Sequence, residues 1–217
     1  PALTAYNIFP LALGDDYFEL AEYVGFFVPP LLEPETTDIT IPVRVVARLW
    51  LFALTGAPDG LEDVDLPVSS IQMRRVSGRP SYVQVVVPNS LKWGDAVTNR
   101  PNGEMIVYRA WLKSDGSLEK HEVQRANQDT IRTDWGARSG KITLTGYKQT
   151  TYQNPTTINI GKVSYENISD GKTLIRTLPN HELNPLDTIQ YGEGSSFQVD
   201  LISYWISAST QQMEVSE

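Results

Sequence analysis

Alternating apolar and polar positions mark a β-hairpin in the first half of the chain. Along Ser70–Val76, the side chains of Ile71, Met73 and Arg75 fall on one side of an extended backbone and the residues between them fall on the other. Ser81–Val87 ends in three consecutive valines, which fit a pleated sheet better than a helix. The connection contains glycine and proline, which are turn residues. The pattern therefore predicts two antiparallel strands joined by a four-residue loop.

Similar signals predict strands along most of the remaining chain. The run that begins at Phe197 exceeds the length of a typical strand, so we expect it to bend or to serve two sheets. Met105–Lys113 is apolar on both faces, which suits a strand buried on both sides or one in a subunit contact. The predicted strands beyond the hairpin are Ile39–Leu54, Met105–Lys113, Leu118–Ala126, Lys141–Tyr147, Thr157–Tyr165, Lys172–Leu178, Asp187–Tyr191, Phe197–Ser207 and Gln211–Val215.

One short helix is predicted between Asn89 and Asn99. Ser90 is suited to cap its N-terminus, and Gly94 weakens it. Leu91, Ala96 and Val97 are expected to face inward.

The predicted fold is therefore mainly β. It consists of a β-barrel or sandwich-like domain with the short helix at residues 41–150, and a smaller C-terminal β unit at residues 151–217. Residues 1–40 are interpreted as an N-terminal arm and connector. Within them, Asp15–Phe27 fits either an amphipathic helix or an aromatic-rich strand, and Pro29–Thr37 is typical of an extended connector.

Composition and charge exclude several classes of function. The chain has 217 residues, no cysteine and a net charge of −8. The absence of cysteine excludes disulfides, thiolate nucleophiles and Cys-ligated zinc. A strongly acidic protein does not hold nucleic acid by neutralising phosphates, although it suits a passage through which DNA slides without sticking. No transmembrane helix and no signal peptide are expected from the sequence.

The search for catalytic and metal-binding residues predicts none. His121 and His181 lie far apart in the sequence and are interpreted as solvated residues of a strand or loop. The acidic loop Asp59–Asp65 is suited to calcium by its oxygen ligands, but its spacing does not match an EF-hand, so a solvated loop is expected. Motifs for a nucleophile elbow, a dinucleotide site or a Walker loop do not occur. We therefore predict no enzyme activity, no cofactor and no metal.

Two adjacent aromatic residues near the C-terminus indicate a contact surface. Tyr204 and Trp205 follow one another on a predicted strand and must point to opposite faces of its sheet. The second face is covered either by another layer of the same chain or by another subunit. We therefore predict an assembly interface at Tyr204 and Trp205, together with Phe18 and Phe26 of the N-terminal arm, which packs on its own domain or reaches a neighbouring subunit.

Two stretches carry a resemblance to a known family. One is the hairpin segment SSIQMRRVSGRPSYVQVVVP with NGEMIVYRAWLKSDGS and IRTDWGARSGKITLTGY after it. The other is the C-terminal segment, in which Pro185 and Asp187 precede a strand and the sequence Phe-Gln-Val-Asp at Phe197–Asp200. Together they resemble the tail-tip and baseplate hub proteins of tailed bacteriophages, with the distal tail protein as a close competitor.

The resemblance implies a structural function without catalytic residues. It implies a virion protein, made in the host cytoplasm, that forms a trimeric or hexameric ring or hub around the DNA channel. Its implied partners are other copies of itself, the tail tube and other tail-tip proteins or fibres. DNA passes without specific binding, and no membrane insertion is expected. The alternative hypothesis is a carbohydrate- or receptor-binding β-sandwich of the tail tip, which predicts a cleft with exposed Trp or Tyr beside Asp, Asn and Arg.

Overall fold

The fold was determined from a computed structural model, which describes residues 43–57, 59–135 and 140–217. These residues form fourteen strands and one helix. The strands are β1 (Val45–Leu54), β2 (Val64–Leu66), β3 (Ser70–Val76), β4 (Pro80–Pro88), β5 (Glu104–Lys113), β6 (Leu118–Asp134), β7 (Lys141–Gln149), β8 (Thr157–Ile160), β9 (Val163–Ser169), β10 (Lys172–Thr177), β11 (Thr188–Tyr191), β12 (Ser195–Gln198), β13 (Leu201–Ser207) and β14 (Gln211–Ser216). The helix is α1 (Ser90–Thr98).

The predicted mainly β fold with one short helix is confirmed for the described residues. Eleven strands form one antiparallel sheet, whose order is β2-β1-β5-β6-β7-β4-β3-β13-β14-β10-β9. A second sheet of three strands has the order β12-β11-β8, with β11 and β8 parallel. The large sheet ends on β2 and β9, so the described residues form no closed barrel, and this part of the prediction is corrected.

The hairpin predicted from alternation is present with the predicted faces. Ile71, Met73 and Arg75 are all buried, whereas Gln72 and Arg74 are exposed. The loop turns at a glycine with φ of 67°, a left-handed conformation that glycine adopts without steric cost. β3 pairs with β4 on one side and with β13 on the other, so the sheet is continuous from the hairpin into the C-terminal strands.

The long run at Phe197 divides between the two sheets, as expected. β12 belongs to the small sheet and β13 to the large one, and the chain changes sheets at Val199 and Asp200. By contrast, the single strand predicted at Thr157–Tyr165 is two strands, β8 and β9, which also lie in different sheets. Both divisions connect the small sheet to the large sheet on which it packs.

One hydrophobic core joins the two sheets. Side chains on the inner faces of both sheets belong to a single cluster. Alternate residues of each strand point to the same face of the large sheet, and that face is the buried one. Its largest fully buried members are Tyr204, Phe52, Leu54, Ile71, Met73, Met105, Ile142, Leu144, Ile175, Leu183, Ile189 and Ile202. The predicted burial of β5 on both faces is confirmed at Met105, Ile106 and Val107.

The helix differs from its prediction at the N-terminus. Asn89, with φ of 58°, is the cap, and its side chain accepts a hydrogen bond from the Lys92 N–H at 3.2 Å. The Ser90 hydroxyl is instead buried and donates to the backbone carbonyl of Asp134 at 2.9 Å. Leu91 is 72% exposed, so it does not face inward, whereas Val97 is buried as predicted.

Candidate assembly surfaces

The two predicted interface aromatics lie on opposite faces of β13. Tyr204 is fully buried in its own chain, and its hydroxyl donates a hydrogen bond to the Asn180 carbonyl at 2.9 Å. Burial raises the pKa of Tyr204 above its ordinary value. Trp205 is half-buried on the other face, beside Gln72 and Gln212 in the strand register. Its part in an assembly contact stays a prediction, and Phe18 and Phe26 lie outside the described residues.

A buried arginine fixes the loop that follows β10 against the large sheet. Arg75 is 3% exposed, and its Nη1 donates to the carbonyl of Leu183 at 2.8 Å and to Asn184 Oδ1 at 3.2 Å. Its Nε donates to Gln124 Oε1 at 3.0 Å, and its Nη2 donates to the carbonyl of Val123. Each nitrogen of the guanidinium has a neutral acceptor, which offsets the cost of removing the charge from water. Arg75 therefore has a structural role.

The C-terminal motif has a structural explanation as well. Asp187 is 3% exposed, and its Oδ1 accepts hydrogen bonds from the backbone N–H of Thr156 at 2.7 Å and from the Thr156 hydroxyl at 3.2 Å. Its Oδ2 accepts from the Asn184 N–H at 2.7 Å. Phe197 and Val199 of the same motif are buried in the core. The motif thus holds the small sheet at its junction with the loop before β11.

Within the described residues the large sheet ends in two strands that pair on one side only, β9 and β2, and these edges differ in length and exposure. Strand β9 has seven residues and β2 has three. β9 pairs only with β10 within the described part of the chain, and Tyr165 and Ile168 are 45% and 68% exposed on it. An exposed edge of this length has unpaired N–H and C=O groups that can bind a strand of another molecule.

A basic and aromatic patch lies at one end of the large sheet. We define the Arg109 patch by six residues, which lie on β1, β5, β6 and the loop after β10. They are Arg48, Trp50, Arg109, Trp111, His121 and His181. The register places Trp50 beside Arg109 and Arg48 beside Trp111, so these side chains share one face of the sheet.

Ring contacts hold the Arg109 patch together. The Trp111 ring centroid lies 4.6 Å from that of His121 and 5.5 Å from that of His181. The Arg109 guanidinium lies 4.9 Å from the centroid of the Trp50 ring, within the range of a cation–π interaction. The two histidines are sixty positions apart in the sequence, but their ring centroids are 6.3 Å apart in the fold. His121 is exposed, as expected, and binds Glu119 at 2.8 Å.

Burial changes the electrostatics of this patch. Removal from water, together with the charge of Arg48, lowers the pKa of Arg109 to about 10, so its guanidinium is charged near neutral pH. Removal from water and the nearby Arg109, His121 and Arg75 lower the pKa of His181, against the opposing effect of Glu182. At a given pH, a smaller fraction of His181 is therefore protonated than of an exposed histidine.

The predicted absence of a metal site remains an expectation. In residues 43–57, 59–135 and 140–217, no group of three or more His, Asp or Glu side chains is arranged to hold a metal ion. Most carboxylates of the acidic loop have partners in the chain. Asp59 accepts from Asn102, Asp63 accepts from the Gly56 N–H, and Asp65 binds Lys120 at 2.9 Å.

A cleft of about 350 Å³ lies between the segments 150–156 and 184–187. Thr, Asn, Gln and Pro residues line it, together with Leu186, the carboxylates of Glu182 and Asp187, and one aromatic residue, Tyr152. The hydroxyl groups of Tyr152 and Ser81 are 2.8 Å apart, and both oxygens of Asp187 accept bonds from the chain itself. The hydroxyl of Tyr152 and the carboxylate of Asp187 are therefore engaged in the fold.

Solved structures of two tail proteins share this fold. The tail protein from Neisseria meningitidis MC58 matches with a TM-score of 0.52 and 6% sequence identity, over 78% of this chain and 95% of that chain. The 43 kDa tail protein of prophage MuSo2 from Shewanella oneidensis matches with a TM-score of 0.53 and 6% identity, over 78% of this chain and 97% of that chain. This is a fold found in phage tail proteins.

Comparison by sequence finds no relative of this chain, in contrast to comparison by structure. No protein-family model matches it, and no curated protein matches it in sequence. The resemblance to phage tail proteins that the two motifs indicate is thus confirmed at the level of the fold. Across the described residues, no helix is long and apolar enough to span a membrane.

Proposed function

We propose that this chain is a structural component of a phage tail tip or baseplate. In this proposal, copies form a hub or ring around the DNA channel and connect the tail tube to tip proteins or fibres. The observation that carries the proposal is the fold shared with two phage tail proteins over 78% of the chain and nearly their whole length.

The free edges of the large sheet support a role in assembly. A ring subunit needs two different surfaces that complement each other and close around an axis. The long exposed edge at β9 and the short edge at β2 provide two unlike surfaces at opposite ends of the described sheet, as the proposed ring requires. Pairing of β9 with a strand from a neighbour would cover Tyr165 and Ile168.

The charge of the chain supports a position beside DNA. Its net charge is −8, so it has no excess of Lys and Arg to neutralise phosphates, and DNA can pass copies around a channel without being held. The proposal includes no catalytic step. The buried charged residues Arg75 and Asp187 serve this function by holding loops in place, because every one of their described contacts is to the chain itself.

Cryo-electron microscopy of tail particles that contain this chain tests the proposal. We expect threefold or sixfold density for the chain around the channel, at the end of the tail tube. A map that places the chain outside the tail, or as a monomeric appendage without contacts between copies, would contradict it. Labelling the chain with a gold-binding tag provides an independent position in the same particles.

A further inference from the structure

The net charge of the chain is concentrated in its first residues. Residues 1–42 contain seven of the 26 acidic residues and none of the 18 Lys and Arg residues. They carry −7 of the total of −8, which leaves residues 43–217 with −1. Four of the seven acidic residues lie close together in an aromatic context, at Asp15, Asp16, Glu19 and Glu22.

The Arg109 patch has the complementary chemistry. Trp50 is 9% exposed, and its Nε1 has no hydrogen-bond partner among the described residues. The same holds for Nη1 of Arg109, which is buried beside the Trp50 ring. Buried donors without acceptors are costly, and each commonly has a functional explanation. Both atoms are donors that any oxygen acceptor satisfies, and Arg48 adds a second positive charge, so a carboxylate is the acceptor that also balances the charge of the patch.

We infer that the Arg109 patch binds the acidic, aromatic segment Asp15–Glu22 of a neighbouring copy of this chain. Carboxylates of that segment accept hydrogen bonds from Arg109 and Trp50, and its aromatic rings pack beside Trp111. The inference rests on the proposed function in one respect, which is that copies of this chain contact each other in the assembled tail.

The other acidic segment of the chain is a poorer candidate for this contact. Asp59 and Asp63 of the loop between β1 and β2, and Asp65 of β2, are already bonded to Asn102, the Gly56 N–H and Lys120. Releasing any of them would break a contact within the subunit. The acidic residues before Val43 are thus the available complement to the patch.

The sequence between the acidic segment and the patch is long enough for the segment to reach a neighbouring copy. The predicted connector Pro29–Thr37 contains three prolines, and an extended chain of nine residues spans about 28 Å. The two-variant mixing experiment below separates this contact from one within a single copy.

A peptide titration tests the contact directly. The probe is a fluorescent peptide of residues 12–24, and the receptor is the full chain with D15N, D16N, E19Q and E22Q, so that its own segment does not compete. We expect binding that weakens with added salt. Adding Arg109→Gln or the exposed Arg48→Gln should weaken it by about tenfold or more. The matched control Arg132→Gln, an exposed arginine on β6, should leave it unchanged.

Three outcomes of this titration would overturn the inference. The first is absence of peptide binding. The second is equal binding by the Arg109→Gln, Arg48→Gln and Arg132→Gln receptors. The third is displacement of the peptide by a short single-stranded oligonucleotide with the same dependence on Arg109, which would assign the patch to nucleic acid. Arg48→Gln keeps the test valid if Arg109→Gln fails to fold, because Arg48 is exposed.

Mixing two full-length variants separates a contact between copies from one within a copy. One variant has the neutralised acidic segment, and the other has Arg48→Gln and Arg109→Gln. We expect each alone to associate less than the native chain, and the mixture to form a heterodimer through its one intact contact. No heterodimer would overturn the inference. If no heterodimer forms but tail particles show ring density for the chain, the inference is overturned and the proposed function is kept. If the heterodimer forms but the chain is absent from tail particles, the proposed function is overturned and the inference is kept.

Discussion

Two arginines of the large sheet, Arg75, which is buried, and Arg109, which is half-buried, differ in how the fold satisfies their hydrogen bonds. Arg75 and Arg109 both lie beside aromatic rings, 5.6 Å from the Tyr204 centroid and 4.9 Å from the Trp50 centroid. Every nitrogen of the Arg75 guanidinium donates to an acceptor of the chain. Nη1 of Arg109 is buried without an acceptor among the described residues.

The difference separates a structural charge from one available to a partner. A buried guanidinium is tolerated when carbonyl and amide oxygens replace the water it has lost, and this is the case for Arg75. Arg109 bears a desolvation cost that the described residues do not fully offset, which is visible in its lowered pKa. The first arginine is expected to matter for folding and the second for association.

The largest effect is expected from Arg75→Gln. This change leaves carbonyl groups of Val123 and Leu183 without their donor, so the free energy of unfolding should fall by about 3 kcal/mol or more. Urea unfolding of the purified chain measures it. Arg74→Gln, an exposed neighbour on the other face of β3, is the control and should change stability by about 0.5 kcal/mol at most. Equal losses in both variants would contradict a structural role for Arg75.

A smaller loss is expected from Asp187→Asn. The amide keeps one acceptor oxygen but presents an NH₂ group to an N–H of Thr156 or Asn184, and we expect a loss of about 2 kcal/mol. The same unfolding experiment applies, with the exposed Asp200→Asn as the matched control. If Asp187→Asn is as stable as Asp200→Asn, the buried carboxylate does not hold the junction of the sheets.

Arg109→Gln should have a still smaller effect on folding. It removes a cation–π contact worth about 1–2 kcal/mol and also removes an incompletely bonded charge, so the two effects partly cancel. Unfolding midpoints within error of the native chain would agree with this. A loss as large as that of Arg75→Gln would show that Arg109 is structural and would remove the basis of the comparison.

The smallest effect is a pH dependence through His181. Its pKa in the folded chain lies below the ordinary value of 6.5, so the unfolded chain binds the proton more readily. The stability that His181 contributes is present above pH 6.5 and is lost as pH falls through the folded pKa. His181→Gln should flatten this part of the stability profile, and Arg109→Gln should shift it. Identical profiles for native and His181→Gln chains would contradict the assignment.

Local patterns predict the strands well where one face is apolar and the other polar. The hairpin of β3 and β4 follows directly from such alternation, and the bend after Phe197 follows from excess length. The second half of β6 is not predicted by them, because Asn127–Asp134 is almost entirely polar and is held in the sheet by pairing with β7. Hydrogen bonds to a neighbouring strand thus override local composition.

The Arg109 patch is not predictable from the sequence by local patterns. His121 and His181 meet because the loop after β10 folds back over β5 and β6, where Arg75 binds its carbonyls. This contact depends on strand order across the sheet, which no short pattern encodes. One available signal is the placement of Arg75 on the same side as Ile71 and Met73, since a charged residue on an apolar face needs partners.

Native mass spectrometry of the purified full-length chain tests most directly whether copies assemble through the Arg109 patch. A subunit that forms a ring through unlike surfaces should give a closed trimer or hexamer at high concentration, and Arg109→Gln should shift the population towards monomer. A native chain that remains monomeric at every concentration, or one that forms the same oligomer with and without Arg109, would contradict assembly through this patch.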